Sequence, residues 1–320
     1  MPVPTLPRVL ADLPVAPAVA RLVAGKVELV PWAAATQPGA DRIEAVYTYG
    51  HPTVDAALLD QLPGVRVVSN FGVGVDHIDV AAAAARGVPV GNTPGVLDGA
   101  TADLGFALLM AAGRRVVEGD RYARGPGFLA FDPSFMLGRE VHGRTLGIVG
   151  MGRIGEQIAR RARGFDMTIL YCNRTRKPAA EAALGVRYAA LDDLLAAADY
   201  VVLTVPLTAA TRGLIGASQL ARMKPTACLV NIARGAVVDL AALTAALAAG
   251  RLHAAALDVT DPEPLPRDHP ILQLPNVIVT PHLGSATAET RETMAEVSVE
   301  NLLAGLAGKP LLHRVPPPTM

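Results

Sequence analysis

Cysteine is almost missing from this chain of 320 residues. Only Cys172 and Cys228 occur, and they lack the paired spacing of a disulfide framework or a zinc site, which fits a reducing compartment. An excess of either charge is missing too. Twenty-nine Lys and Arg balance 29 Asp and Glu, so no field favours nucleic acid or an anionic membrane. No apolar run reaches the ~18 residues of a transmembrane helix. The opening MPVPTLPRVL has neither the basic n-region nor the apolar h-region of a signal peptide. These absences together predict a soluble cytoplasmic protein with no metal centre, no nucleic-acid partner and no membrane partner.

What is present is apolar and regular. At 51% hydrophobic and 18% charged, the chain can bury a large core and is incompatible with disorder. Its length predicts two domains of roughly 100–200 residues each. Short β-branched runs alternate with longer Ala/Leu helical runs, the pattern of an α/β protein with parallel sheets. KVELV, EAVYTY, VRVVS and VPVGN are the predicted strands of the first hundred residues. A Pro/Gly-rich stretch from Asn92 to Ala100 reads as a hinge or linker. The next run, TADLGFALLMAAGRR, is apolar nearly all round, with Leu104, Ala107, Leu108 and Ala111 on one stripe. Such a helix is buried in a core or in a subunit interface. From His142 onward six strands are expected, RTLGIVG, MTILYC, DYVVLTV, ACLVNI, HAAALDV and NVIVT. They form a doubly wound sheet whose ligands sit at the carboxyl ends of the strands. A long helical run from Ala286 to Leu306 leads into a Pro-rich tail.

The sharpest motif is GIVGMGRIGEQIARRA, a strand, then Gly150, Gly152 and Gly155, then a helix. The first glycine permits the tight turn, the second lets backbone approach a pyrophosphate, and the third lets helix and strand pack closely. Arg153 and Ile154, between the glycines, are counted with them as cofactor-binding. The competing reading, a generic strand–helix turn, is weakened by the flanking strand and helix. NFGVGVDHID is no second nucleotide turn, because His77 stands where a third glycine is needed. Its loop can still offer the N–H groups of Val73 and Gly74 to a carboxylate, as a backbone nest.

About 20 residues past a dinucleotide turn an Asp or Glu usually holds the ribose 2′-hydroxyl. Here stand Asn173, Arg174, Thr175 and Arg176. Two guanidiniums suit a ribose carrying a 2′-phosphate, the neutral amide avoids repelling it, and Thr175 adds a hydroxyl donor. The expectation is NADP(H) in preference to NAD(H). A solvated basic surface turn is the plainer alternative.

The remaining motifs follow the last strands. Arg234 comes after the predicted fourth strand, Asp258 and Glu263 at and after the fifth, and His282 after the sixth. Reduction of a 2-oxo acid needs these groups. Arg holds a carboxylate and polarises a carbonyl with its forked donors. His delivers the proton, and a nearby Glu orients the ring and favours imidazolium. Singly, each has a bland reading as a surface or loop residue. Their coincidence beside a nucleotide turn is what argues for a site. His51, His77 and His269 lie next to turns and are read as structural. Of the six phenylalanines, Phe128, Phe131 and Phe135 share GFLAFDPSFML, where they are expected to anchor a loop to the core, closure over a substrate or a partner subunit being the alternative.

SNFGVGVDHID, NTPGVLDGATADLGFALL, VGMGRIG, VNIARGAVVD, LDVTDPEPLP and TPHLGSAT resemble, in order and spacing, the D-isomer-specific 2-hydroxyacid dehydrogenases, and among them the glyoxylate/hydroxypyruvate reductases. The resemblance implies a Rossmann NADP-binding domain, residues 100–285, inserted in a smaller flavodoxin-like substrate domain made of residues 1–99 and a returning C-terminal helix, 286–320. It implies a homodimer joined through the cofactor domains, with the helix near Thr101 in the interface. Arg234 would bind substrate, Glu263 tune the histidine and His282 act as acid/base. Val73, Gly74 and Ser285 would line the substrate, with Gly284. Asp258 would face the nicotinamide carboxamide, and Thr101, Pro206 and Ile232 would border the cofactor. Formate dehydrogenases share the fold but carry Gln where this chain has Pro281. Two further readings stay open at this point, a 2-ketogluconate or phosphoglycerate type of reductase and a dinucleotide-sensing corepressor-like binding protein.

Overall fold

The computed structural model describes residues 5–50 and 52–317; His51 lies outside them. The chain divides into two compact units, Met1–Leu97 with Thr287–Met320, and Asp98–Ala286.

The first unit is built on five parallel strands: β1 (Arg8–Ala11), β2 (Glu28–Pro31), β3 (Ile43–Thr48), β4 (Val67–Asn70) and β5 (Val90–Gly91). Their order is β2-β1-β3-β4-β5, the flavodoxin-like winding. β1 is an addition to the predicted strands. Its four residues stand between prolines and are too few to show a period, yet Val9, Leu10 and Ala11 are fully buried near the sheet centre. The helix Ala288–Leu306 packs on this sheet. The Tyr47 hydroxyl lies 2.8 Å from Ser298 Oγ, and Ser69 Oγ donates to the Ser298 carbonyl at 2.7 Å. These buried hydrogen bonds tie the C-terminal segment to the first unit, because a buried hydroxyl without a partner is costly.

The second unit carries seven parallel strands: β6 (Thr145–Val149), β7 (Thr168–Cys172), β8 (Arg187–Tyr188), β9 (Tyr200–Leu203), β10 (Cys228–Asn231), β11 (Ala254–Leu257) and β12 (Val277–Val279). The order β12-β11-β10-β9-β6-β7-β8 is the Rossmann winding with one more strand at the edge. Both faces are covered. Ile148, Val202 and Val230 join one core, while their neighbours Val149, Val201 and Leu229 join the other. Consecutive strand residues point to opposite faces, so a sheet covered twice needs runs that are apolar throughout. The sequence reading of six strands is one short. β8 has two exposed residues at the edge and no periodicity to read. Arg234, Asp258 and His282 therefore follow the fifth, sixth and seventh strands of this unit.

One of two expectations about apolar surface is corrected. The helix Asp98–Gly113 is covered in part by its own unit: Thr101, Ala102, Phe106, Leu108, Leu109 and Ala112 are buried, against β10, β11 and the helix Arg153–Arg163, while Ala107 is exposed and Leu104, Met110 and Ala111 are half-buried. Burial in the core is one of the two places that its all-round apolar character allows. The phenylalanine segment does not anchor to the core. Phe128 and Phe135 lean on Tyr122, with ring centroids 5.8 and 4.7 Å apart, while Phe131 is 84% and Leu129 89% exposed.

Candidate active site

The chain leaves β6 at Val149 and turns at Gly150, whose φ of +109° is closed to most side chains. A Cβ there would also stand 2.8 Å from the Thr204 backbone, at the end of β9. A Cβ on Gly155 would run into the Gly150 carbonyl, whereas one on Gly152 would meet nothing within 4 Å. The turn is closed behind and open in front. The helix Arg153–Arg163 starts at once, with no side chain capping its first N–H groups. An open cradle of backbone donors at a helix N-terminus is what a pyrophosphate requires, so the residues fit a dinucleotide. The Ile154 side chain packs into the core behind the turn, leaving only its backbone for a ligand. Arg153 Nε donates to Asp98 Oδ2 at 2.8 Å.

The turn after β7 sorts its four polar residues. Asn173 Oδ1 accepts from Met151 N at 3.0 Å, and its Nδ2 donates to the Thr175 carbonyl at 3.2 Å. Asn173 thereby braces the glycine turn. Arg176 forms a two-pronged pair with Glu181, 2.7 Å in each arm. The Arg176 guanidinium, and then the Tyr171 hydroxyl, hold the Glu181 carboxyl down at about 2. The side chains of Arg174 and Thr175 are exposed and have no intramolecular partner among the described residues.

The strand-end groups are set by backbone turns. Buried Asn231, the last residue of β10, accepts from Ala233 N at 3.0 Å and donates to the Arg234 carbonyl at 2.9 Å. This fixes the path of Ile232–Arg234, with Ile232 in the core. Gly235 lies so close to the Thr260 backbone that a Cβ could not fit, so the Arg234 loop and the Thr260–Glu263 loop are pressed together. Arg234 Nη1 donates to the Ala233 carbonyl at 2.8 Å.

His282 has φ +54°, a left-handed conformation that costs a non-glycine residue about 1–3 kcal/mol unless its surroundings over-determine it. Asp258 does so. Its backbone carbonyl accepts from His282 N at 2.9 Å. Its carboxylate accepts from Thr280 Oγ1 at 2.6 Å, Leu283 N at 2.7 Å and Gly284 N at 2.8 Å. Asp258 is buried, and its partners are those of the histidine turn. Gly284 and Ser285 are buried behind that turn, and Thr101 is also buried. Pro206 is exposed, and its carbonyl accepts from Thr211 Oγ1 at 2.6 Å.

His282 Nδ1 lies 2.7 Å from Glu263 Oε1, with both side chains partly exposed. The carboxylate accepts from Nδ1–H, which leaves Nε2 turned away with no partner among the described residues. Burial pushes the Glu263 carboxyl up. The hydrogen bond and charge of His282, the Thr260 N–H at 3.3 Å and the charge of Arg234 outweigh it and hold Glu263 below the ordinary carboxylate range. A ring oriented by an anion, with its far nitrogen exposed, can pass a proton to a developing oxyanion. Among the described residues no three His, Cys, Asp or Glu are grouped to hold a metal.

In the first unit, taken by itself, Asn70 Nδ2 donates to the carbonyls of Gly72 at 3.0 Å and Gly74 at 2.9 Å, and Asn92 Nδ2 to that of Val73 at 2.9 Å. The three carbonyls are occupied, and the N–H groups of Val73 and Gly74 donate to no described residue. Asn70, Asn92, Tyr171, Thr204, Asn231, Gly235, Thr280 and Glu181 were not singled out from sequence. Asn70, Asn92, Asn231, Gly235 and Thr280 stood inside quoted motifs without a side chain that implies chemistry; Tyr171, Thr204 and Glu181 act through partners elsewhere in the chain and left no local signal.

Residues 106–284 match the family model for the NAD-binding domain of D-isomer-specific 2-hydroxyacid dehydrogenases. A glyoxylate reductase of Korarchaeum cryptofilum is 53% identical over 257 residues, 80% of this chain and 77% of that protein. A glyoxylate reductase of Pyrococcus furiosus is 48% identical over 271 residues, 83% of this chain and 80% of that one. The crystal structure of an NADPH-dependent glyoxylate/hydroxypyruvate reductase from Sinorhizobium meliloti, in complex with NADP and malonate, aligns with a TM-score of 0.88 at 34% identity over 97% of both chains. With the glycine turn, the strand order and the histidine–glutamate pair in the same unit, these likenesses show that the chain belongs to the D-isomer-specific 2-hydroxyacid dehydrogenase family.

Proposed function

We propose that this protein reduces a small 2-oxo acid, glyoxylate or hydroxypyruvate, to the 2-hydroxy acid (the D isomer where one exists) with NADPH in preference to NADH. The observation that carries the reading is His282 Nδ1 held 2.7 Å from Glu263 in a half-exposed side chain, on the unit that also bears the dinucleotide cradle. Names of relatives support the substrate class: both curated proteins above are glyoxylate reductases. When bound, the nicotinamide cofactor supplies the hydride. The protein's own residues do the rest. Arg234 is the proposed donor to the substrate carboxylate and carbonyl, a task suited to a fork of N–H groups. Val73 and Gly74 N–H groups are proposed as further carboxylate donors, with Ser285 in the substrate wall. Glu263 keeps Nδ1 protonated, and His282 Nε2 gives its proton to the carbonyl oxygen. Gly150, Gly152, Arg153, the Ile154 backbone and Gly155 would hold the pyrophosphate. Arg174 and Thr175 would hold the ribose phosphate, and Thr101, Pro206, Ile232, Asp258 and Gly284 would border the nicotinamide half. A panel of 2-oxo acids assayed with each cofactor tests the reading; no turnover on any member contradicts it.

The pair makes a pH prediction. Glu263 is held below the ordinary carboxylate range, so it stays anionic and keeps the His282 ring oriented until the pH falls through that lowered range. Glu263→Gln removes the titrating carboxyl. The acid limb that protonation of Glu263 gives the kcat/KM profile for reduction should then vanish, with the maximal rate reduced as well. An acid limb that stays in place contradicts Glu263 as the orienting partner.

We also propose a homodimer. The cofactor units would join, with the helix near Thr101 in the interface, and the exposed Leu129, Phe131 and Leu137 of the same unit support association, since large exposed apolar patches mark interaction sites. Light scattering at micromolar concentration should give twice the chain mass, and Leu129→Asp with Phe131→Asp should give a folded monomer. A wild-type monomer contradicts the dimer; a dimeric double variant contradicts this segment's part in it. No helix among the described residues is long and apolar enough to cross a membrane. Both cysteines are free thiols, which supports the cytoplasm as the proposed location.

A further inference from the structure

The two guanidiniums after β7 are not equivalent. Arg174 is exposed and has no partner among the described residues, while Arg176 is engaged on both arms by Glu181 at 2.7 Å. An ordinary surface ion pair would rearrange freely and contribute little. This one is anchored from below. The Tyr171 ring is fully buried in β7, and its hydroxyl donates to Glu181 Oε1 at 2.6 Å while accepting from Lys177 N at 2.7 Å. The Glu181 side chain is only 18% exposed, against 65% for Arg176. The acid is therefore the fixed member of the pair, and the arginine is brought to it. A two-pronged carboxylate–guanidinium pair uses the same planar donors that a phosphate would use.

We propose that Glu181 is a specificity-setting positioning residue: by holding Arg176 it withholds one arginine from the ribose 2′-phosphate, so that Arg174 reads the phosphate and the preference for NADP(H) is smaller than two free arginines would give. This rests on the reading of the turn as the ribose site. In Glu181→Gln the amide oxygen can still accept from Tyr171, so the turn keeps its support. The charge that holds Arg176 is gone, and the guanidinium is released to any phosphate beside Arg174.

The test is equilibrium binding by calorimetry, with no turnover required, using NADP+, NAD+, 2′,5′-ADP and 5′-AMP. Glu181→Gln should tighten NADP+ and 2′,5′-ADP by about 10-fold, the lower end of the scale of one added charged hydrogen bond. NAD+ and 5′-AMP should be unchanged. In an Arg176→Ala background the same substitution should have no effect, because Glu181 acts through Arg176. Several results would overturn the proposal. If 2′,5′-ADP binding is unchanged in Glu181→Gln while Arg174→Ala weakens it, the proposal fails and the turn remains the phosphate site. If Glu181→Gln alters NADP+ and NAD+ alike, or weakens NADP+ alone, Glu181 only supports the loop. If neither Glu181→Gln nor Arg174→Ala changes 2′,5′-ADP binding, both the proposal and the ribose-site reading fall.

Discussion

His282→Ala should lower the reductive kcat by ~10²–10⁴-fold, the usual loss for a general acid, and leave NADP+ affinity unchanged. With the ring gone, the oxyanion formed at the substrate carbonyl must take its proton from water. The backbone gives this prediction a control. His282 sits at φ +54°, where Ala is strained, so a loss in His282→Ala alone could reflect a disturbed turn. Asn tolerates that conformation better than most residues and keeps a polar side chain, but it cannot donate as an acid. His282→Asn should therefore lose activity on the same scale with its thermal stability intact. Recovery of most of the rate in the Asn variant would show that the turn, and not the imidazole, is what matters.

Arg174→Ala should reduce kcat/KM for NADPH by roughly 10- to 100-fold, because a hydrogen bond to a charged partner contributes about 1.5–3 kcal/mol and each 1.4 kcal/mol is a decade. The loss should fall on KM, with NADH kinetics nearly unchanged. Arg176→Ala should cost less, since that guanidinium is committed to Glu181. Equal losses for the two cofactors would contradict a 2′-phosphate contact at Arg174.

Much of the molecule was legible before any coordinates. The strands of the second unit stand out because both faces are buried, which makes short continuous apolar runs such as VVLTV and CLVNI. The two strands that were missed, β1 and β8, are short, and one is nearly all exposed. The helix Asp98–Gly113 shows its core burial in its composition: apolar nearly all round, it packs on β10, β11 and the helix Arg153–Arg163. For the site, residues whose type alone implies chemistry, Arg234, Glu263 and His282, could be picked from their positions after strands. Residues that work by holding others could not. Asp258 looks like a ligand-facing carboxylate in sequence, but the structure gives it three donors from the His282 turn. Arg176 looks like a twin of Arg174 until Glu181 and Tyr171 are placed beside it. Hydrogen bonds between residues far apart in sequence, such as Asn173 to Met151, leave no period to read.

The most direct test of the account is the steady-state consumption of NADPH and NADH by the purified protein with glyoxylate as substrate. Glyoxylate should be turned over to glycolate, with kcat/KM for NADPH exceeding that for NADH by at least about 10-fold, the contribution of one arginine–phosphate hydrogen bond. No oxidation of either cofactor with glyoxylate or hydroxypyruvate would contradict the proposed reaction, and equal kcat/KM values would contradict the role given to Arg174.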